Sequence, residues 1–479
     1  MAGFVSRYLK RDRWRQTLVH GGILATLLLT PVWFRLPEAP PLFPALYVSR
    51  FLILLPALWS IGGWLILGRP GWRDLLANRG PGAGARRLWA LSLLTLALWA
   101  ALSQTWAFQR VEHPEVGATA ALQFGVMALF AVVVACSGLS PRAVIAALVL
   151  GTLWNSALVA LQAAGQGALG LHGLGEFPFS IGMDGVSIIR AGDLTFVRPY
   201  GLMPHPNMLA GVLLVGVVAA GAWALSPRWR TALIGAAFAA FGVWALLLTF
   251  SRAAWVGLAA AGLLILLLAL PLLRRRVHLR AALLTLAASA AAGVLFIALN
   301  TPFLAARVGE GQESVELRSV ADRIVFTDFA LRSIGERPLL GVGIGNFPWR
   351  ASYYIAETFY DLRGDYVHHV LLAAWAELGT VGLALLLTAI LSGALAAFRL
   401  IHAGGRDPDR IVLLAAFAAL AVIGWFDHYP WTILHLQIAW WGSLAASLAP
   451  LSTAERNQAL GRSYSSSSTP PVLLGWTKT

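Results

Sequence analysis

Long runs of uncharged, apolar residues are the feature that most limits how this chain can fold. Several windows of about 20 residues carry no charge, which is the signature of a membrane-spanning helix. Only 12% of the 479 residues are charged, whereas soluble domains have about 25%. A segment in lipid must satisfy its own backbone hydrogen bonds, and a helix does so. The sequence therefore predicts an all-α integral membrane protein.

Twelve apolar segments are predicted as transmembrane helices. They are residues 18–34, 44–67, 88–107, 117–137, 141–163, 206–225, 230–249, 253–273, 280–299, 368–399, 410–427 and 431–450. An even number of spans places both termini on the same side of the membrane. The first span follows a basic lead and lacks a small-residue cleavage site after it, so we expect it to remain uncleaved.

The distribution of charge over alternate loops orients these spans. The side that carries the termini holds 23 of the 36 Lys and Arg residues but only 5 of the 22 Asp and Glu residues. By the positive-inside rule, both termini are predicted to be cytoplasmic. The net charge of +14 is thus a topology signal, and no nucleic-acid partner is expected. The single cysteine, Cys136, excludes a disulfide framework within the chain and a multi-cysteine metal site.

Two long loops, at about 165–206 and 301–367, fall on the predicted outer face, and loops of this length tend to be functional. The second contains a helical pattern that predicts an amphipathic helix at the membrane surface. Its apolar face would consist of Leu317, Ala321, Ile324, Val325 and Leu331. The pattern ends in the turn-rich stretch ERPLLGVGIGNF, residues 336–347. We predict one membrane domain, residues 1–450, and a disordered cytoplasmic tail, residues 451–479.

Three arginines stand out on the predicted outer face. Arg198 lies just before the next span, whose start carries Asn207, and Arg323 belongs to the amphipathic segment. Ser251 and Arg252 interrupt a long apolar run, which forms two spans only by turning there. An arginine at a membrane boundary is often an interfacial anchor, but a charge between two membrane-depth segments usually faces a cavity or a substrate path. Arginine forks bind phosphate oxygens in pairs.

Two adjacent histidines, His368 and His369, begin the apolar stretch DYVHHVLLAAWAELGTVG, residues 365–382. Adjacent side chains on a helix point in different directions, so the pair is a poor metal site, and we predict no metal ligands. A histidine near arginines can act as a base, because its pKa lies near working pH. Asp427 and His428, in the last outer turn, either support such a site or stabilise the turn. A lipid-linked diphosphate donor fits this set and requires no cofactor.

The order of these motifs resembles the O-antigen ligase and O-antigen polymerase superfamily of bacterial membrane glycosyltransferases. The motifs are Arg-x-x-Gly followed by Pro-Asn at a span entry, Ser-Arg after an apolar run, a loop arginine, the PLLGVGIGNF stretch and His-x8-Glu-x-Gly. In this chain they comprise Arg198, Gly201, Pro206, Asn207, Ser251, Arg252, Arg323, His368, Glu377 and Gly379. His369 stands where the superfamily usually has Asn.

The resemblance implies a GT-C-like fold and inverting, metal-independent glycan transfer from undecaprenyl diphosphate on the outer face of the bacterial inner membrane. It implies that His368 is the general base and that Arg198, Arg252 and Arg323 contact the diphosphate. Ligase, polymerase and protein O-oligosaccharyltransferase share these parts, so the acceptor is a lipid, a glycan or a protein. With one large outer loop and no soluble outer domain, we favour a ligase. A transporter of a polyprenyl-linked anion is the alternative from another class.

Overall fold

The computed structural model describes residues 16–34, 52–77, 80–308, 314–357, 364–404 and 406–450. The basic lead and the predicted tail, residues 451–479, lie outside this part of the chain. Sixteen α-helices are assigned within it. They are α1 (Gln16–Leu28), α2 (Leu54–Ile66), α3 (Trp72–Leu76), α4 (Ala83–Leu102), α5 (Pro114–Cys136), α6 (Pro141–Gly165), α7 (Pro206–Ala224), α8 (Trp229–Leu248), α9 (Arg252–Leu273), α10 (Arg276–Val308), α11 (Ser314–Glu336), α12 (Phe347–Ala356), α13 (Val370–Ala403), α14 (Pro408–Ile423), α15 (Tyr429–Thr432) and α16 (Leu434–Ser447).

Among the described residues, eight helices are long and apolar enough to cross a membrane. They are α4 to α10 and α13. The other four predicted spans coincide with the shorter apolar helices α1, α2, α14 and α16, of 13 to 16 residues. A helix rises 1.5 Å per residue, so these four are short for a hydrocarbon core of about 30 Å. The fold is that of a multi-pass helical membrane protein, and the count of twelve spans and the GT-C-like architecture stay predictions.

Local sequence signals set where the spanning helices begin. Proline occupies the first residue of α5, α6, α7 and α14, where its missing N–H breaks no helical hydrogen bond. The side chain of Ser140 caps α6 by accepting from the Ala143 N–H, and Asp407 caps α14 by accepting from the Asp409 N–H.

The spanning helices differ widely in how much of their surface the protein covers. In an apolar 18-residue window of α7, 78% of the residues are buried, whereas the corresponding windows of α9 and α10 are 22% and 6% buried. Helix α7 packs against α6, α8 and α14, so it forms the centre of the bundle. The exposed apolar side chains of α9 and α10 would face lipid, since lipid tails are as apolar as leucine. The N-terminus of the central helix α7 and that of the peripheral helix α9 both contribute to the cavity described below.

One antiparallel hairpin interrupts the helical fold and lies in the first long loop. Its strands, β1 (Ile188–Ala191) and β2 (Leu194–Val197), pair with Ile189 opposite Phe196. The Phe196 ring packs against Phe250 and Phe303, with ring centroids 5.3 Å apart in each case. The fold remains mainly α-helical, as predicted, and this one hairpin holds the residues that follow it against the start of α9.

Helix α11 confirms the predicted helix in the second long loop, and its predicted apolar face is not the side that packs against the bundle. Ile324 and Leu331 are 66% and 52% exposed, whereas Phe326, Phe329 and Ile334 are buried against the bundle. Ala321 is exposed as well, Val325 is half-buried, and the side chain of Leu317 lies outside the described set. Beside a membrane, apolar residues face both protein and lipid, so an apolar pattern alone does not identify the packed face.

A break inside α13 accommodates the glycine-rich turn that links α11 to α12. Gly379 has φ +66°, and a Cβ at this position would collide with the Leu339 carbonyl. The opened backbone forms hydrogen bonds from Val342 N to Ala376 O at 2.9 Å and from Gly343 N to Glu377 O at 2.8 Å. The turn-rich stretch is thus confirmed, and it docks onto the helix that follows His368.

Candidate active site

A cavity of about 220 Å³ lies where α7, α9, α10 and α11 meet the turn after α14. Its lining residues are Asn207, Ser251, Arg252, Ala253, Val256, Arg307, Arg323, Phe426 and Asp427. Two of the predicted arginines, Arg252 and Arg323, reach it from different helices, and Arg307 adds a third guanidinium that the sequence did not single out. Three cations around one cavity favour an anionic ligand.

The turn between α8 and α9 places both a charge and a helix terminus at the cavity. Helix α8 ends at Leu248 and α9 begins at Arg252, which confirms the predicted turn. Phe250 is fully buried at φ +50°, an uncommon conformation for a non-glycine residue, and its ring packs against Phe196 and Phe296. The N–H groups of the first turn and the dipole at the start of this 22-residue helix favour an anion there.

Two of the three cavity arginines, Arg252 and Arg307, are held in position by backbone carbonyl groups. A nitrogen of Arg252, Nη1, donates to the Arg307 carbonyl at 3.3 Å, and Arg307 Nε donates to the Phe250 carbonyl at 3.4 Å. Arg307 follows a kink at Asn300, one residue before the Thr301–Pro302 pair, which turns the end of α10. Arg323 Nε is buried with no hydrogen-bond partner in the described residues. Such a donor is costly unless a ligand accepts from it.

Arg198 is not among the residues that line the cavity, and each of its three guanidinium nitrogens donates a hydrogen bond within the protein. Nε donates to the Thr249 carbonyl at 2.6 Å, Nη1 donates to Ser187 Oγ at 2.8 Å, and Nη2 donates to Asn207 Oδ1 at 2.6 Å. Burial lowers the pKa of Arg198 to about 10, so the group stays charged at neutral pH. These bonds fix the α8–α9 turn and orient Asn207, which does line the cavity.

His368 does not line the cavity, but its imidazole lies close to Asp427, which does. Its Nδ1 is buried and has no hydrogen-bond partner in the part of the chain that the structure describes. Burial, with a smaller contribution from the positive charge of Arg323, lowers the pKa of His368 to about 4. The imidazole is therefore neutral at neutral pH, which is the form that accepts a proton.

Asp427 and His428 meet His368 although some sixty residues separate them in sequence. One ligand atom from each of the three side chains lies within 4.8 Å of the other two, and the His368 and His428 rings meet edge to face with centroids 5.5 Å apart. Burial raises the pKa of Asp427 to about 7 and lowers the pKa of His428. Asp427 also lines the cavity, so it connects the arginine cluster to the histidines.

His369 has a different structural role from that of His368. It is the N-terminal cap of α13, where its Nδ1 accepts from the Leu372 N–H at 3.4 Å. Its ring packs on Trp425, with 4.6 Å between centroids. The two adjacent histidines are therefore distinct: His369 begins the helix, and His368 faces Asp427 and His428.

Glu377 forms hydrogen bonds with three segments around the site. It is fully buried, and its carboxylate accepts from Trp431 Nε1 at 2.9 Å and from the Phe347 N–H at 3.4 Å. The Tyr366 hydroxyl also hydrogen-bonds to it, and the Tyr366 ring stacks on His428 at 5.0 Å. The carboxylate thus connects residues beside His368 and His428 without entering the cavity.

Residues 236–387 match the family model described as O-antigen ligase. This segment is similar to O-antigen ligases. The matched segment includes Arg252, Arg307, Arg323, His368 and Glu377, and it confirms the resemblance drawn from the motifs. No curated protein matches the chain. Together with the apolar helices, the O-antigen ligase family supports a multi-pass bacterial membrane enzyme of the ligase and polymerase type.

Proposed function

We propose that this protein transfers a glycan from an undecaprenyl-diphosphate-linked donor to an acceptor hydroxyl at the outer face of the bacterial inner membrane. One observation carries the proposal: a cavity lined by three arginines lies beside a half-buried histidine whose imidazole is neutral at neutral pH. The cavity arginines can bind the negative charges of a diphosphate leaving group, and the imidazole can accept the proton of an attacking hydroxyl.

The cavity matches the amphiphilic end of a lipid diphosphate. Arg252, Arg307 and Arg323 offer guanidinium donors to the phosphate oxygens, and the start of α9 adds backbone N–H groups. Val256 and Phe426 line the same cavity and are 48% and 43% exposed, so they give the isoprenoid chain an apolar contact. Arg198 supports this arrangement by positioning Asn207 and the α8–α9 turn.

In the reaction, His368 accepts the proton of the acceptor hydroxyl as its oxygen attacks the anomeric carbon. A new carbon–oxygen bond forms while the bond from that carbon to the diphosphate breaks, and undecaprenyl diphosphate leaves. Attack from the face opposite the leaving group inverts the anomeric configuration. The guanidinium groups stabilise the negative charge that develops on the leaving diphosphate, a role that preorganised donors fill in many enzymes, so the step requires no metal ion.

We propose a lipid acceptor, as in an O-antigen ligase of lipopolysaccharide biosynthesis. From the sequence, the outer loops are not predicted to form a separate soluble domain that would hold a protein acceptor. The charge bias of the loops supports cytoplasmic termini and an outer-face site. Polymerase and protein O-oligosaccharyltransferase activities are the alternatives, and the acceptor that receives the glycan distinguishes them from a ligase.

The test is a reconstituted reaction. Purified protein in liposomes receives an undecaprenyl-diphosphate-linked glycan and, in parallel reactions, a lipid A-core acceptor, a second lipid-linked glycan or an acceptor protein. We expect release of undecaprenyl diphosphate and elongation of the lipid acceptor, with no loss in the presence of EDTA. Donor movement across the bilayer without release of undecaprenyl diphosphate would instead establish a transporter.

A further inference from the structure

We propose that His368, Asp427 and His428 bind a transition-metal ion such as Zn²⁺, and that an ion held there inhibits glycan transfer by occupying the His368 imidazole. The binding part stands on the geometry of the three side chains alone. The inhibitory part rests on the proposed function, because it requires His368 to take the acceptor proton.

The donor set is one that zinc favours. Two imidazoles and one carboxylate make up a common three-residue zinc site, which leaves a fourth position open. With bonds of 2.0 to 2.2 Å, donors on a tetrahedral zinc ion lie about 3.4 Å apart. The three donor atoms here already lie within 4.8 Å of one another, so side-chain rotations suffice to close the site. Since Asp427 lines the cavity, the open position would face it.

The second nitrogen of His428 is held as it is in many metal sites. Metal-binding histidines usually hydrogen-bond through the nitrogen that does not touch the metal, which fixes the ring. Here His428 Nδ1 lies 2.8 Å from Thr432 Oγ1, which leaves Nε2, 3.9 Å from Asp427 Oδ1, for the ion. Asp427 is 2% exposed and His428 is 7% exposed, so little water competes for either.

The His368 imidazole also has capacity for a ligand. Its Nδ1 is buried and has no hydrogen-bond partner among the described residues. A buried polar atom without a partner is costly, and coordination of an ion would remove that cost.

The arginines around the cavity determine how firmly an ion would be held. Arg252, Arg307 and Arg323 lie on the same cavity as Asp427, and their positive charges oppose the arrival of a divalent cation. We therefore expect weaker binding than at a structural zinc site. An ion that binds reversibly and occupies the proton acceptor is an inhibitor rather than a permanent constituent.

Binding is measured with Co²⁺, which replaces zinc and absorbs visible light when it is coordinated with tetrahedral geometry. The full chain, purified in detergent through a tag without histidine, is titrated with Co²⁺ alone. We expect one equivalent to give the visible bands, and Zn²⁺ to remove them. Asp427→Asn and His428→Gln should each abolish the bands, while the matched control His369→Gln should keep them. Elution and thermal unfolding of each variant establish that it is folded.

The outcomes separate the two parts of the proposal. A wild-type protein without visible bands, or bands that survive both Asp427→Asn and His428→Gln, would overturn the binding site. In the reconstituted reaction we expect added Zn²⁺ to lower the transfer rate at least tenfold and EDTA to restore it. Transfer that is unaffected by saturating Zn²⁺ or stimulated by it would overturn the inhibitory part. A protein that binds Co²⁺ as expected but transfers no glycan under any condition would contradict only the proposed function.

Discussion

The indole nitrogen of Trp431 donates a 2.9 Å hydrogen bond to Glu377 Oε2. Trp431 follows His428 by three residues, and Glu377 follows His368 by nine, so this bond links the two segments that build the histidine cluster. Tyr366, which hydrogen-bonds to the same carboxylate, stacks on His428. The orientation of His368 relative to Asp427 therefore depends on a buried carboxylate that never meets substrate.

Trp431→Phe should lower kcat about tenfold and leave KM for the donor nearly unchanged. The substitution keeps an aromatic ring but removes the donor, so one oxygen of a buried carboxylate loses its partner, at a cost of about 1–3 kcal/mol. Steady-state kinetics on the reconstituted enzyme check this. Trp425→Phe, at a 60% exposed neighbour, is the matched control and should behave as the wild type. Equal kcat values for the two variants would contradict the positioning role.

Arg252→Lys and Arg307→Lys should each reduce kcat/KM for the lipid-diphosphate donor by about 10- to 100-fold, since a charged hydrogen bond contributes about 1.5–3 kcal/mol. Lysine keeps the charge but cannot offer the two-pronged fork that a phosphate accepts. Arg190→Lys, at an exposed position on β1, is the control. Arg307 is the more decisive position, because only the structure brings it to the cavity. A fully active Arg307→Lys enzyme would remove it from the donor site.

The value of kcat/KM should fall only at unusually acidic pH. The base acts when it is neutral, so activity falls as pH drops through the pKa of His368, which burial lowers from 6.5 to about 4. We expect a nearly constant kcat/KM from neutral pH down to about pH 5. A limb at 6.5 would indicate an exposed imidazole as the base. A limb near 7 would assign control to the Asp427 carboxyl, whose pKa burial raises to about 7.

Gly379→Ala should destabilise the protein by more than about 1 kcal/mol, because it adds a Cβ at positive φ. That Cβ would also collide with the Leu339 carbonyl in the docked turn. The matched control is Gly293→Ala in α10, where φ is not positive and a Cβ would meet no atom within 4 Å. Thermal unfolding in detergent should show a lower Tm for Gly379→Ala only. Equal Tm values would mean that the α13 break tolerates a side chain.

The sequence predicts the elements of this fold better than their contacts. Apolar runs and capping residues locate the spanning helices, and the charge inside a long apolar run locates the α8–α9 turn at Arg252. The packed face of α11 was not predictable in the same way, because lipid accepts Ile324 and Leu331 as readily as a protein core does. The short helices α1, α2, α14 and α16 likewise leave the number of spans open.

For the candidate site too, local motifs identify individual residues, whereas contacts between distant segments depend on tertiary packing. Arg252 and Arg323 line the same cavity, as expected from their prediction on the same side of the membrane. Arg198 is an equally good candidate by sequence, but its guanidinium hydrogen-bonds to Asn207 and Thr249 instead. Arg307 was missed because it follows the end of an apolar span and resembles an interfacial anchor; its only signal is a lone arginine in an outer loop. No periodicity brings Asp427 and His428 to His368, since that contact depends on how α13 and α15 pack.

The most direct test compares His368→Ala with His369→Ala in the reconstituted transfer reaction, with undecaprenyl diphosphate release as the readout. His368→Ala should lower the rate by about 10²- to 10⁴-fold, the usual contribution of a general base. His369→Ala removes only a helix cap and a contact with Trp425, so its rate should stay within severalfold of the wild type. Transfer by His368→Ala at the wild-type rate would contradict the central claim that this histidine takes the proton of the acceptor.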